Sequence, residues 1–207
     1  MEYQDNLIII EKSLSWEALL RQLAEEAIEL SGAILEYREK TMADCLVQKP
    51  SLFSMGGYDE WKAVVEEAAD IDLVMQIVLE KIYDENSRKI RESIMVTVKV
   101  VTDTLTSDNV LRSMQKGCHD IGKAALKLIR SMGEENPTPI TEAEAKNNLL
   151  SYMAAMWVLL EKRFGTTMFA TEIEKIKTRK AERWVHRLMG GIEDEGVYED
   201  RQGILGK

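Results

Sequence analysis

The stretch SWEALLRQLAEEAIELSGAILEYREK, residues Ser15–Lys40, keeps the helical period without interruption. Leu20, Leu23, Ala27, Leu30 and Ile34 recur at steps of three and four, so they line one side of an α-helix. Outward from it, residues 41–58 break the pattern. Pro50, Ser51, Ser54, Gly56 and Gly57 predict a loop there, with room for a short helical turn. A second helix is expected over Asp59–Asp84, with Val64, Ala68, Ile71, Met75 and Val78 on one face. Residues 88–104 are mixed: Val96, Val98, Val100 and Val101 suit a strand, but their flanks are helical and helix is the expectation.

Further on, Asp108 is expected to cap a helix reaching Met132, with Gly133 as its stop. Asn136-Pro137-Thr138-Pro139 makes a rigid turn, and Thr141 with Glu144 forms a capping box for a helix ending near Phe164 and Gly165. The last helix is expected over Thr171–Met189, closed by Gly190-Gly191. The acidic tail 192–207 is expected to be loose. Only three prolines occur in 207 residues, so little opposes helix elsewhere. The expected fold class is all-α, a helix bundle.

Composition narrows the function. The formal net charge of -9 argues against nucleic-acid binding, which needs a basic surface. A polyphosphate substrate survives that objection, because a bound divalent cation reverses the local sign. Cys45 and Cys118 make neither a disulfide framework nor a metal-site spacing, and are expected to be buried free thiols. No charged-then-apolar leader is read, and no apolar run approaches spanning length. The expected compartment is the cytoplasm, with no membrane partner. His119 and His186 are isolated from each other and are expected at the surface. Trp61, Trp157 and Trp184 fit core or interface positions.

The acids are the unusual feature. Glu29 stands one helical turn after both Glu25 and Glu26, and Asp70 one turn after Glu66 and Glu67. Like charges at that spacing repel by a few tenths of a kcal/mol per pair. They also border the apolar stripes: Glu26 shares a face with Leu23 and Leu30, Asp70 with Leu73 and Val74. A carboxylate turned toward a core is costly unless paired or bound to a metal. Two such clusters facing one bundle interior make an all-oxygen cage, which suits magnesium or manganese better than zinc.

At these residues the sequence resembles the all-α nucleoside triphosphate pyrophosphohydrolases, the superfamily of MazG-like proteins and dimeric dUTPases. Their Glu-Glu-x-x-Glu and Glu-x-x-Asp pattern reads here Glu25-Glu26-x-x-Glu29 and Glu67-x-x-Asp70. The resemblance implies that Glu26, Glu29, Glu67 and Asp70 are metal ligands and that Glu25 is catalytic, orienting the attacking water. The gap from Glu29 to Glu67 is longer than in short family members, and the 41–58 loop fills it. The second half, from Cys118 through the helix at 175–184, resembles another member of the same superfamily. With the halves laid together, Glu25, Glu26 and Glu29 meet Lys116, Gly117 and Asp120, while Glu66, Glu67 and Asp70 meet Ser151, Tyr152 and Ala155. Residues 1–95 are thus expected to form a first module carrying the cage and 96–191 a degenerate copy packed against it, a tandem pseudo-dimer of helical hairpins.

The function implied is Mg2+-dependent hydrolysis of a nucleoside triphosphate to the monophosphate and pyrophosphate, with Mn2+ as a substitute. Lys180, Arg183 and Arg187 share one face of the last helix and are the candidates to bind the substrate's phosphates. The same residues also suit a non-catalytic dimerisation scaffold, or a relative that senses a nucleotide without cleaving it. Assembly as a homo-oligomer is left open by the sequence.

Overall fold

The computed structural model describes residues 2–46, 57–82, 85–133, 139–165 and 169–190. Within them lie seven helices and no strand: α1 (Tyr3–Ser13), α2 (Trp16–Leu46), α3 (Tyr58–Ile82), α4 (Glu85–Thr102), α5 (Ser107–Met132), α6 (Glu142–Phe164) and α7 (Phe169–Leu188). The all-α expectation therefore stands. Residues 47–56 of the expected loop, the turn at 136–138 and the tail at 192–207 lie outside the described residues.

α2 and α3 form one hairpin, α5 and α6 a second, and the two meet along α2 and α5. The helix that follows each hairpin packs on the other one. α4 lies against α6, and α7 returns to α3, with α1 beside it. One apolar core runs through this arrangement, from Leu7 and Ile10 in α1 to Ala181 and Val185 in α7. The expected module boundary between residues 95 and 96 falls inside α4, which is continuous. No helix among the described residues is long and apolar enough to cross a membrane.

Several local expectations are refined by the packing. α1 was not expected, because Leu7-Ile8-Ile9-Ile10 is an unbroken apolar run without a helical period. The fold selects Leu7 and Ile10, three apart, for burial and leaves Ile8 outside. Its end is pinned to α3 by Lys81, whose Nζ donates to the carbonyls of Glu11 (2.7 Å) and Leu14 (3.0 Å). The cap of α5 is Thr106, not Asp108: the Thr106 hydroxyl accepts from the Asn109 N–H. Asp108 is diverted to ion pairs with Arg112 at 2.7 Å and, across to α2, Arg38 at 3.1 Å. Those two guanidinium groups hold its carboxyl below the usual range. Thr141 caps α6 by accepting from the Glu144 N–H, as its spacing predicts.

Candidate metal and phosphate site

α2 and α3 cross so that Glu26, Glu67 and Asp70 each offer a carboxylate oxygen within 4.8 Å of the others. Glu26 keeps only 8% of its surface and Asp70 7%, while Glu67 is half-buried. The sequence places them there because Leu23, Ala27 and Leu30 on α2 and Leu73, Val74 and Ile77 on α3 must enter the core. Residues three or four away on the same faces are drawn in with them. Gln22, one turn before Glu26, donates from Nε2 to Glu26 Oε1 at 2.7 Å.

The cluster is short of partners. Glu26 Oε2 and Glu67 Oε2 are both buried with no hydrogen-bond donor. Buried carboxylate oxygens are normally satisfied, so two orphans within one close group of three acids could hold a cation. Burial pushes the Glu26 carboxyl up to about 7, with the charges of Glu29 and Glu67 adding to the rise while Gln22 and Lys180 oppose it. Burial raises Glu67 as well, Lys180 opposing and Glu29 and Glu66 reinforcing. An all-oxygen donor set with unsatisfied lone pairs fits a hard divalent ion.

α7 closes the site from the other side. Lys180, Arg183 and Arg187 line a cavity of about 300 Å³ together with Gln22, Glu26, Asp70, Leu73, Val74 and Trp184. Lys180 Nζ bonds Asp70 Oδ2. Burial lowers its pKa, against the pull of Glu67 and Glu26. The three basic residues are thus brought to the acidic pair from more than a hundred residues away in the chain.

The remaining expected site residues stand further out. Glu25 is exposed and lines no part of the cavity, since it lies on the opposite side of α2 from Leu23 and Leu30. Glu29 is also exposed and outside the close triple, although its charge reaches Glu26 and Glu67. Two cavity residues were missed by sequence reasoning. Gln22 could have been found from its i,i+4 spacing to Glu26. Trp184 is expected at a core or interface position and does pack against the core, but only the placement of α7 shows it in the cavity wall. His119 and His186 are exposed, and Cys118 is buried, its thiol pushed up to about 12 by burial. Cys45 has no described side chain.

The second hairpin has no such cluster at the matching positions. A Cβ on Gly117, opposite Glu26 in the alignment, would come within 2.9 Å of Met156 Cε. Buried Met156 fills that space. Comparison of the chain with protein-family models, with curated proteins and with solved structures returns no match.

Proposed function

We propose that the chain is a divalent-cation-dependent nucleoside triphosphate pyrophosphohydrolase, with Glu26, Glu67 and Asp70 holding the ion. The observation that carries this is the pairing of opposites around one cavity: Glu26, with an orphaned carboxylate oxygen, and Asp70 line it beside Lys180, Arg183 and Arg187, and Glu67 offers an oxygen within 4.8 Å of theirs. The ion would supply charge neutralisation and orientation of the substrate's phosphate oxygens. Magnesium is the preferred ion in this proposal, since the donors are oxygen alone.

The basic residues explain the choice of a polyphosphate. From Lys180 to Arg187 is seven residues, roughly 10 Å along the helix at its rise per residue. That span suits a chain of phosphates laid along α7. In phosphoryl transfer, charge builds on the departing group, and fixed cations beside it stabilise the transition state. One water is consumed: its oxygen becomes bonded to the α-phosphorus, and the oxygen bridging α and β leaves with pyrophosphate. Gln22 fixes the orientation of Glu26 through its 2.7 Å hydrogen bond, and Trp184 offers an apolar wall. Glu25, exposed and outside the close triple of carboxylates, has no part in this scheme.

The test is a panel of nucleoside triphosphates incubated with magnesium and assayed for pyrophosphate, with Glu67→Gln and Asp70→Asn alongside the wild type. Activity in the wild type and a loss of at least about tenfold in both variants is expected. Turnover equal in all three proteins sinks the proposal. Calorimetric titration with magnesium separates the enzyme from a scaffold, which would take up none.

A further inference from the structure

The cage already holds a cation of its own. Lys180 reaches from α7 to bond Asp70 Oδ2, and its ammonium lies close enough to Glu26 and Glu67 for its charge to act on both. Its side chain retains about a quarter of its exposure, whereas that of Asp70 retains 9%. One end of the pair is therefore held in the bundle and the other has room to move. Three carboxylates against one ammonium leave a net deficit of positive charge, and the oxygens left without donors, Glu26 Oε2 and Glu67 Oε2, show where that deficit sits.

We propose that Lys180 is a resident counter-ion that stands in for the divalent cation at Asp70, and that incoming metal releases it to the phosphates of the substrate. The inference rests on the cation-binding reading above and deepens it. A divalent ion in contact with Asp70 and an ammonium bonded to the same carboxylate are like charges in a partly buried site, where weak screening makes their repulsion strong. The flexible four-carbon stem of lysine lets the charge swing while its Cα stays fixed in α7. Along the cavity wall, Arg183 and Arg187 lie one and two turns onward, so a displaced Lys180 joins a ready-made basic row. Metal and polyphosphate then bind with positive coupling, because each favours the position of Lys180 that the other requires.

The direct readout is Mn2+ affinity, followed by the paramagnetic signal of free Mn2+, in the full chain without nucleotide. Lys180→Met should bind Mn2+ at least about fivefold more tightly than the wild type, the lower end of ordinary coupling between sites. Lys180→Arg, which keeps the charge, should stay near the wild type. Adding inorganic tripolyphosphate should tighten Mn2+ binding in the wild type and do so less in Lys180→Met. Circular dichroism melts of each variant confirm that the helices are intact. If Lys180→Met is too unstable, Lys180→Gln gives the same comparison. Equal or weaker Mn2+ binding in the charge-removed variants overturns the inference and makes Lys180 a positioning residue for Asp70. If neither wild type nor variants take up Mn2+, the cation-binding reading fails and the inference falls with it. Tighter binding in Lys180→Met with no hydrolysis of any triphosphate would keep the resident counter-ion and remove only the hydrolase.

Discussion

The helices α3 and α7 cross twice through a lysine–aspartate pair, and the two crossings are built on opposite terms. At the first, Lys177 keeps 2% of its surface and its Nζ donates to Asp72 Oδ2 (2.7 Å) and Glu174 Oε1 (2.8 Å). Asp72 Oδ1 accepts from Trp157 Nε1 at 2.8 Å, and Gln76, itself bonded to the Tyr3 hydroxyl, donates to Oδ2 at 3.4 Å. Burial alone would lower the Lys177 pKa, but Asp72 and Glu174 hold it above the usual lysine range. At the second crossing, one turn along, Lys180 meets Asp70 among carboxylates that outnumber it, and burial wins, lowering its pKa. Charges that are fully satisfied fasten helices together; charges left short of partners wait for a ligand. The first crossing is a fastening and the second the candidate site.

Four measurements break or sharpen that contrast. The largest effect is expected from Asp72→Ala, which leaves a buried ammonium and the Trp157 N–H without their acceptor. Removing one partner of a buried pair costs about 3–5 kcal/mol, read as a shift in the urea midpoint at constant slope. Pyrophosphate release per folded molecule should be unchanged, and an Asp72→Ala protein that stays folded but inactive would erase the distinction between the crossings.

Next comes pH. Glu26 titrates at about 7 in the fold against 4.5 in the unfolded chain, so the folded state binds the proton more tightly. Metal-free protein therefore keeps this contribution below pH 4.5 and loses it as pH rises through about 7, a change of about 3 kcal/mol. In chelator, wild type should become less stable relative to Glu26→Gln across that window. A difference between the two that does not move with pH contradicts the burial of the carboxylate.

Slightly smaller is the effect of metal. Magnesium at a hundredfold excess over its dissociation constant should stabilise the wild type by about 2.7 kcal/mol, seen as a higher Tm that Asp70→Asn lacks. Identical melts in magnesium and chelator would mean that the orphaned oxygens recruit no cation. The smallest effect is expected from Asp120→Asn in the second hairpin. Met156 already occupies the space beside Gly117, so Mn2+ stoichiometry should stay at one per chain. Two ions per chain would show a working site in α5 and α6.

The all-α class, the major helices and the two buried carboxylates were legible in the sequence because each depends on local spacing. A stripe at steps of three and four must face the core, and Glu26 and Asp70 travel with the stripes that carry them, while Glu67 was named as a ligand through the resemblance. The resemblance implied Glu29 as a metal ligand and Glu25 as catalytic, but spacing does not fix how far round α2 the core extends, and both emerged exposed. α1 stayed hidden because four consecutive apolar residues have no period, and only the groove offered by α3 and α7 chooses which two to bury. Asp72 and Lys177 gave no signal, since residues 105 positions apart declare nothing about each other in sequence. What the sequence determined was which helices form and which faces seek the core. What the tertiary structure alone decided was that α7 lies on α3 rather than on its own hairpin. Long-range packing is a competition among many apolar faces of similar width, settled by their joint fit, and it is that fit which sets Lys180, Arg183 and Arg187 against Glu26 and Asp70.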